Sequence, residues 1–282
     1  MSAVEAPIRP KRPMPAVSGV SPPAAATSSF KRPAISRGVI ATPQRVVYYG
    51  PGGVGKTTLA GLLSKIGKRA LVVDLDNGSA GVDVARIRDV ESWDDLRAVL
   101  RDNEMWSDFD VVVVDSATKA EELAVAWTVA NVPNDKGSKV DRLESYGFGK
   151  GIGHVYDTFL PLLSDLDQHV RAGRDVVLVC HECVANVVNP MGSDFVRYEP
   201  RLQSPPSGKN SIRHRVKEWC DHLLFVGYDV FSEDGKAKGG GTRTIYPVEM
   251  ATHWAKSRKL SRPIPYPSGS EQLWNQLFGV NQ

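Results

Sequence analysis

The segment at residues 50–57, which reads GPGGVGKT, constrains this chain more than any other part of its sequence. It follows a short apolar run, RVVYYG, and precedes a helical pattern of leucines, so it predicts a strand, a loop and a helix in succession. Glycines let consecutive backbone N–H groups turn toward phosphate oxygens, and the start of the helix adds partial positive charge. A glycine-rich turn that binds no nucleotide is the weaker alternative. The phosphates of a nucleotide are expected to bind at Gly50, Pro51, Gly52, Gly53, Val54, Gly55, Lys56, Thr57 and Thr58.

Three side chains predict that the nucleotide is a triphosphate bound with Mg²⁺. Lys56 occupies the position that reaches the β- and γ-phosphates in such loops, and the Thr57 hydroxyl occupies the position that ligates magnesium. The run FDVVVVDS at 109–116 reads as a buried parallel strand with Asp115 at its carboxyl end. Ligands of open α/β sheets bind at that end, so we expect Asp115 to hold the magnesium through water. A solvated aspartate at a strand end is the alternative for Asp115.

The rest of the chain predicts an α/β domain in a reducing compartment. With 282 residues, 41% of them hydrophobic, the chain can bury a sizeable core. Apolar runs at 70–73 and 175–180 predict further strands, and helices are expected at 93–100 and 155–170. No apolar run approaches the roughly 18 residues of a membrane span. Three cysteines and no signal segment favour a cytoplasmic protein without a membrane partner.

The strand at 175–180 is followed by a group of residues that allows more than one interpretation. His181 can sense the γ-phosphate from the strand end, or it can be a satisfied histidine near the sheet edge. Cys180, Cys183, Cys220 and His222 have a spacing that allows a zinc site. Because Cys180 and Cys183 face opposite ways in an extended chain, free buried thiols are the stronger expectation.

The first forty residues differ from the rest in charge and composition. Six basic residues and one acidic residue give residues 1–40 a charge of +5, so the total of +3 leaves −2 for the remainder. Seven of the nineteen prolines lie there, without apolar periodicity, which predicts a disordered basic arm. The arm is either a solubilising leader or a tail that binds phosphates or a partner. We therefore separate an arm at 1–40 from a globular body that begins at Ala41.

The order of these parts resembles the RecA-type ATPase core. The matching segments are GPGGVGKT, VVDLD, VVVVDS, VVLVCHE and GKNSIRHRVKEWCDHLLFV. More narrowly, YEPRL, KEWCDHLLFVGYD and AKSRKLSRPIP are similar to segments of the phage single-strand annealing ATPases, a Sak-type group of RecA/RadA-like proteins. The resemblance covers residues 44–267 and implies a mainly parallel, twisted sheet flanked by helices, with a C-terminal β-hairpin. It implies an ATPase domain at 41–267, with ATP as the nucleotide, followed by a tail with a short helix at 268–282.

The resemblance also implies roles for residues outside the phosphate loop. Asp76 takes the position of the acid that activates the attacking water, with Asp74 as the alternative, and His181 takes that of the sensor. Asp76 replaces the glutamate usual in RecA proteins, so slow hydrolysis is expected. Lys256 and Arg258 match a Lys-x-Arg pair that reaches a neighbour's γ-phosphate in RadA-like and hexameric-helicase cores. If they do so here, ATP hydrolysis requires a homo-oligomer, either a ring or a filament.

Two basic segments correspond to the DNA-binding loops of recombinases. The first, at 133–153, contains the aromatics Tyr146 and Phe148, and the second spans 184–211. Cations that follow the backbone and rings that stack on bases suit single-stranded DNA, although flexible solvated loops are the alternative. The candidate DNA-binding residues are Lys136, Lys139, Arg142, Lys150, Arg197, Arg201 and Lys209.

The leading hypothesis is a DNA-stimulated ATPase that coats single-stranded DNA and promotes annealing or strand exchange, with a single-strand-binding protein as a candidate partner. The competing hypothesis is a ParA/MinD-like positioning ATPase or a helicase loader, in which ATP governs partner docking. The signature lysine of ParA proteins follows the first glycine of the loop, and here that position holds Pro51. A metabolic P-loop kinase is disfavoured because no lid-like arginine cluster is evident.

Overall fold

Apolar runs that are buried on both faces build the centre of this protein. In the computed structural model, which describes residues 35–38, 40–233 and 236–279, ten strands form one sheet. The strands are β1 (Arg45–Gly50), β2 (Ala70–Asp74), β3 (Ala85–Ile87), β4 (Val111–Asp115), β5 (Asp175–Val187), β6 (Phe195–Pro200), β7 (His222–Glu233), β8 (Lys236–Tyr246), β9 (Lys256–Ser257) and β10 (Ile264–Pro265).

Six of the described strands run parallel, in the order β7-β1-β5-β4-β2-β3. All five residues of β2 and all five of β4 are buried, as expected for strands covered on both faces. The predicted α/β fold class, with a mostly parallel sheet flanked by helices, is confirmed. β1 lies between β5 and β7, so the loop that follows Gly50 leaves from the interior of the sheet.

Helices cover both faces of the sheet, and the sheet separates two apolar cores. They are α1 (Lys56–Gly61), α2 (Trp93–Arg101), α3 (Ala117–Asn131), α4 (Lys150–Arg171), α5 (Ile212–Trp219) and α6 (Gln272–Phe278). One core joins α2, α3, α4 and α5 to the sheet, and the other joins α1, α6 and the 3-10 turn at Leu62–Ile66. None of the described helices combines the length and apolar composition needed to span a bilayer.

Local signals in the sequence account for where the helices of the first core begin. The Ser92 hydroxyl accepts a hydrogen bond from the Asp95 backbone, and the Asp95 carboxylate accepts one in return, which forms a capping box at the start of α2. The Ser116 hydroxyl accepts from the Lys119 backbone and begins α3 directly after β4. Asp115 is thereby held between the end of a strand and the start of a helix.

Antiparallel strands extend the sheet beyond β7. β7 and β8 form the predicted C-terminal β-hairpin, and β10 pairs with the outer side of β8. The last helix, α6, buries Trp274, whose indole N–H donates to the Leu59 carbonyl at 2.7 Å. The helix within the predicted tail at 268–282 therefore packs against α1 as part of the same core.

The interpretation of residues 184–211 as one loop is wrong in its first half. β5 continues to Val187 and pairs with β6 as an antiparallel hairpin, with Val187 opposite Phe195. Exposed and half-buried residues alternate along this extension of β5, because it leaves the sheet interior and keeps one face in solvent. Irregular segments remain at 188–194, in the turn of this hairpin, and at 201–210, between β6 and α5.

The predicted arm at 1–40 lies almost wholly outside the described residues. The chain divides into the units Met1–Ile40 and Ala41–Gln282, and the first of these contributes only residues 35–38 and 40 to the description.

Candidate functional site

The phosphate loop lies at the carboxyl end of β1. Gly53 and Gly55 have φ angles of +76° and +96°, a left-handed conformation that glycine adopts without steric cost. Gly55 directly precedes α1, so the backbone N–H groups of the first helical turn point toward the mouth of the loop. The backbone arrangement required to bind phosphate oxygens is therefore present.

Lys56 is buried against its own loop. Its ammonium donates to the Gly50 carbonyl at 2.7 Å and to the Pro51 carbonyl at 2.9 Å. Burial lowers the pKa of Lys56, while the carboxylates of Glu182 and Asp115 oppose that effect. These contacts hold the ammonium at the mouth of the loop, where a phosphate group would provide it with an anionic partner.

Thr57 and Asp115 bring two oxygens together beside the loop. The Thr57 hydroxyl donates to the Asp115 carboxylate at 2.6 Å, although the two residues are 58 positions apart. Burial raises the pKa of Asp115, the hydrogen bond from Thr57 opposes this, and the nearby Asp76 and Asp74 raise it further. Hard oxygen donors in a buried acidic environment fit Mg²⁺. Thr57 and Asp115 would hold the ion, which would offset negative charge on the phosphates.

The two acids that follow the second strand have different environments. Asp74 accepts hydrogen bonds from the backbone N–H groups of Gly78 and Ser79, and from the Ser79 hydroxyl at 2.5 Å. It is buried, and its carboxylate holds the loop after β2 in place. Asp76 is exposed at the strand end, with its carboxylate oxygen 3.2 Å from His181 Nε2. The geometry therefore favours Asp76 over Asp74 as the group available to a water molecule.

His181 lies within β5, at the last residue paired with β1, and contacts two other parts of the site. It lies opposite Gly50 in the parallel pairing of β1 and β5, and its side chain is half-buried against Asp76. Its backbone N–H donates to the Thr118 hydroxyl at 3.1 Å, and its carbonyl accepts from the backbone of Arg201 at 2.8 Å. Residues beyond β6 are thereby joined to the part of β5 that carries His181.

Glu182 is a residue of the site that the sequence analysis missed. It lines a cavity together with Pro51, and among the described residues its buried Oε2 atom has no hydrogen-bond partner. Its carboxylate has the largest of the electrostatic effects that oppose the lowering of the pKa of Lys56 by burial. A strand-end position next to His181 is the only sequence signal that could have identified it.

Lys256 and Arg258 lie at the opposite end of the sheet from the phosphate loop. β9 pairs with the first residues of β7, and Arg258 contacts Asp221 at 3.3 Å. The Asp221 backbone donates to the carbonyl of Arg45, the first residue of β1. At about 3.3 Å per residue, the length of β1 separates this end from Gly50 by roughly 17 Å. Neither Lys256 nor Arg258 reaches the phosphate loop of its own subunit. Their action on the site of a neighbouring subunit stays a prediction.

The first basic segment has one exposed and one buried aromatic side chain. Phe148 is fully exposed between Gly147 and Gly149. Tyr146 is buried, and its hydroxyl lies within hydrogen-bond distance of the carbonyls of Thr128 and Val132 at the end of α3. The prediction that the Tyr146 ring stacks on bases is therefore wrong. Lys150 forms an ion pair with Asp135. The other cations of this segment are exposed: Lys136, Lys139 and Arg142.

The second basic segment contains one arginine that is already paired. The guanidinium of Arg197 contacts Glu199 and Glu249, each at 2.7 Å, and only 12% of its side chain is exposed. Arg201 and Lys209 are exposed. The amide of Gln203 donates to the Ile152 carbonyl at 2.9 Å, so the two predicted DNA-binding segments adjoin each other at the start of α4.

The four residues considered for zinc have other environments. Cys180 and Cys220 are buried, and Cys183 is half-buried. The ring nitrogens of His222 lie 2.7 Å from the Ser257 hydroxyl and 3.1 Å from the Gln44 side chain. Within the part of the chain that the structure describes, no cluster of three or more histidine, cysteine or acidic side chains is arranged to hold a metal.

Comparison with known proteins identifies the family. Residues 42–259 match the family model of an AAA domain, which is most of the chain. Solved structures that match include a KaiC-like protein from the hyperthermophilic archaeon Pyrococcus horikoshii, with 13% identity, a TM-score of 0.43, and coverage of 80% of this chain and 86% of that one. Comparison with curated proteins finds no match. The extent of the family match and the phosphate loop at its start lead to one conclusion: the chain belongs to the AAA domain family and has a nucleotide-binding P-loop ATPase domain.

Proposed function

We propose that this chain is a RecA-like ATPase, similar to the phage single-strand annealing ATPases, that binds single-stranded DNA and promotes annealing or strand exchange. The observation that carries the proposal is the fully exposed ring of Phe148, which lies two residues from Lys150 in a segment that adjoins Arg201 and Lys209. Exposed rings and cations along one surface suit single strands, because every base has a face that can stack and every nucleotide carries a phosphate.

The backbone at Phe148 supports a binding role for this ring. Its φ angle is +49°, which is uncommon for a residue with a bulky side chain. Such a conformation costs free energy and persists where the surrounding chain or a function requires it. Among the described residues, no side chain covers this ring. A base stacked on the ring would bury that surface.

Hydrolysis of ATP is the chemical step of the proposal. A water oxygen attacks the γ-phosphorus, the bond from that phosphorus to the bridging oxygen breaks, and ADP leaves. Asp76 accepts the proton of the water, and the ammonium of Lys56 stabilises the negative charge on the phosphate oxygens. His181 contacts Asp76 and, through Arg201, the second DNA-binding segment. This connection offers a physical route by which bound DNA changes the rate of hydrolysis.

We also propose that the active form is a homo-oligomer. Lys256 and Arg258 lie far from the phosphate loop of their own subunit, at the amino end of β1. In a head-to-tail assembly, that end of one subunit meets the phosphate loop of the next, and such an assembly forms a ring or a filament.

The test is whether single-stranded DNA stimulates ATP hydrolysis and whether the protein anneals complementary strands. We expect stimulation by an unstructured oligonucleotide and, for Phe148→Ala, an affinity for that oligonucleotide about 5- to 100-fold weaker. Met105→Ala is the matched control, because Met105 is an exposed apolar side chain in the turn before β4. Hydrolysis without any response to DNA would contradict the proposal and favour a positioning ATPase or a helicase loader.

A further inference from the structure

Four side chains from outside the phosphate loop donate hydrogen bonds to four consecutive carbonyl groups of the loop. Each carbonyl accepts a hydrogen bond from one of these side chains at 2.8–3.0 Å, and the Gly55 carbonyl also accepts one from the Leu59 backbone at 2.9 Å. The donor and acceptor pairs are Tyr228 Oη to Gly53 at 3.0 Å, Arg243 Nη1 to Val54 at 3.0 Å, Tyr266 Oη to Gly55 at 2.9 Å, and Tyr48 Oη to Lys56 at 2.8 Å. We call these four side chains the loop clamp.

The geometry of the peptide bond makes these contacts relevant to phosphate binding. In a trans peptide, the carbonyl of one residue and the N–H of the next lie in one plane and point in opposite directions. Fixing the carbonyls of residues 53–56 therefore fixes the N–H groups of residues 54–57. These are amides through which a phosphate loop contacts its ligand. The loop clamp thus orients the amides from the side of the loop that faces away from the ligand.

Three of the four clamp residues come from the C-terminal antiparallel region. Tyr228 lies in β7, Arg243 lies in β8, and Tyr266 directly follows β10. Arg243 and Tyr266 act together, since the guanidinium lies over the tyrosine ring at 4.6 Å and the Tyr266 backbone donates to the Arg243 carbonyl at 2.7 Å. The β7–β8 hairpin therefore contacts the phosphate loop directly, and a movement of the hairpin would displace the loop carbonyls that Tyr228 and Arg243 bind.

Gly55 shows how closely the clamp approaches the loop. A Cβ atom at this position would lie 2.8 Å from Arg243 Nη1 and 3.2 Å from the Tyr266 hydroxyl. Position 55 thus requires glycine for two reasons: the backbone has a φ angle of +96°, and these two side chains leave no room for a Cβ atom.

We propose that Tyr228, Arg243 and Tyr266 are positioning residues for the nucleotide phosphates, and that the β7–β8 hairpin controls nucleotide affinity through them. The proposal rests on the proposed ATP site. Loss of one clamp contact removes a hydrogen bond that fixes a peptide plane, so the N–H group on the other side of that plane is held less firmly toward the phosphate. A net hydrogen-bond contribution corresponds to a change of about 3- to 10-fold in affinity.

The test compares variants that lose one hydrogen-bonding group. Tyr228→Phe and Tyr266→Phe remove a hydroxyl, Arg243→Met removes all hydrogen-bond donors of the side chain, and Arg243→Lys keeps a single cationic nitrogen that can donate. Tyr246→Phe is the matched control, because its hydroxyl lies in the same hairpin but donates to Asp229 at 3.0 Å. Titration calorimetry of the full chain with magnesium and either ATP or pyrophosphate measures the affinities. Thermal unfolding without nucleotide measures stability.

We expect each tyrosine variant to bind ATP and pyrophosphate about 3- to 10-fold more weakly, with the larger loss in Arg243→Met and partial recovery in Arg243→Lys. The unfolding temperature of the nucleotide-free protein should change no more than in Tyr246→Phe. Affinities within twofold of wild type in Tyr228→Phe, Tyr266→Phe and Arg243→Met would overturn the clamp alone. Wild-type protein that binds neither ligand would overturn the proposed ATP site together with the clamp.

Discussion

The phosphate loop and the two basic segments differ in how far the fold determines their chemistry. In the loop, the carbonyls of residues 53–56 and the Lys56 ammonium all have partners at 2.7–3.0 Å, so its backbone has one arrangement. In the segments at 133–153 and 184–211, residues of the same type have different environments. Phe148 is exposed while Tyr146 is buried, and Lys209 is exposed while Arg197 is paired.

This difference shows which structural features a sequence motif can specify. Spacing within one short loop specifies backbone conformation, so the residue types in the motif keep their roles wherever the motif is held. A basic segment is recognised by composition alone, and composition does not specify which cations find carboxylates elsewhere in the fold. The following predictions test the two regions, from the largest expected effect to the smallest.

The loop should depend on its lysine more than on any nearby cation. Lys56→Ala is expected to lower ATP hydrolysis more than about 100-fold, because it removes the only cation of the loop itself from the transferring phosphate. Lys65→Ala is the control, since Lys65 is exposed and donates to the Gly269 carbonyl. Steady-state hydrolysis and nucleotide binding measure both variants. Activity retained in Lys56→Ala would refute the assignment of the site.

The acids after β2 should separate a chemical role from a structural one. Asp76→Asn is expected to lower turnover about 100-fold while ATP affinity stays within a few-fold, because the variant cannot accept a proton. Asp74→Asn is expected mainly to lower the unfolding temperature, because it weakens three hydrogen bonds that hold the next loop. Single-turnover kinetics and thermal unfolding distinguish the two. The opposite pattern would transfer the base role to Asp74.

Substitution of two cations in the second basic segment should affect different properties, DNA binding for Lys209 and stability for Arg197. Lys209→Ala is expected to weaken DNA binding and to reduce the slope of log K against log salt by about 1, with little change in stability. Arg197→Ala is expected to cost about 1–3 kcal/mol of stability, because Glu249 and the buried Glu199 lose a partner. Salt-dependent binding and chemical unfolding provide the measurements. If the slope of log K against log salt changed only in Arg197→Ala, Arg197 and not Lys209 would be the cation that binds DNA.

The predicted strands agree with the structure where apolar runs are continuous. The runs at 70–73 and 109–116 correspond to β2 and β4, since strands buried on both faces need uninterrupted apolar side chains. The extension of β5 to Val187 was missed because its alternating pattern also suits a surface loop. Successive side chains of β1 point to opposite faces of the sheet, so Val47 and Tyr49 pack in one core while Val46 and Tyr48 pack in the other.

The sequence by itself determined the phosphate loop, the approach of Thr57 and Asp115 at the carboxyl edge, and the α/β fold class. These features depend on local spacing and on the rule that parallel strands end at one edge. Only the tertiary structure decided that Asp76 meets His181, 105 positions away, and that Tyr266 binds the carbonyl of Gly55 across 211 positions. The physical reason is that such pairs arise when distant strands become neighbours, and a side chain's environment then depends on residues that no local pattern contains.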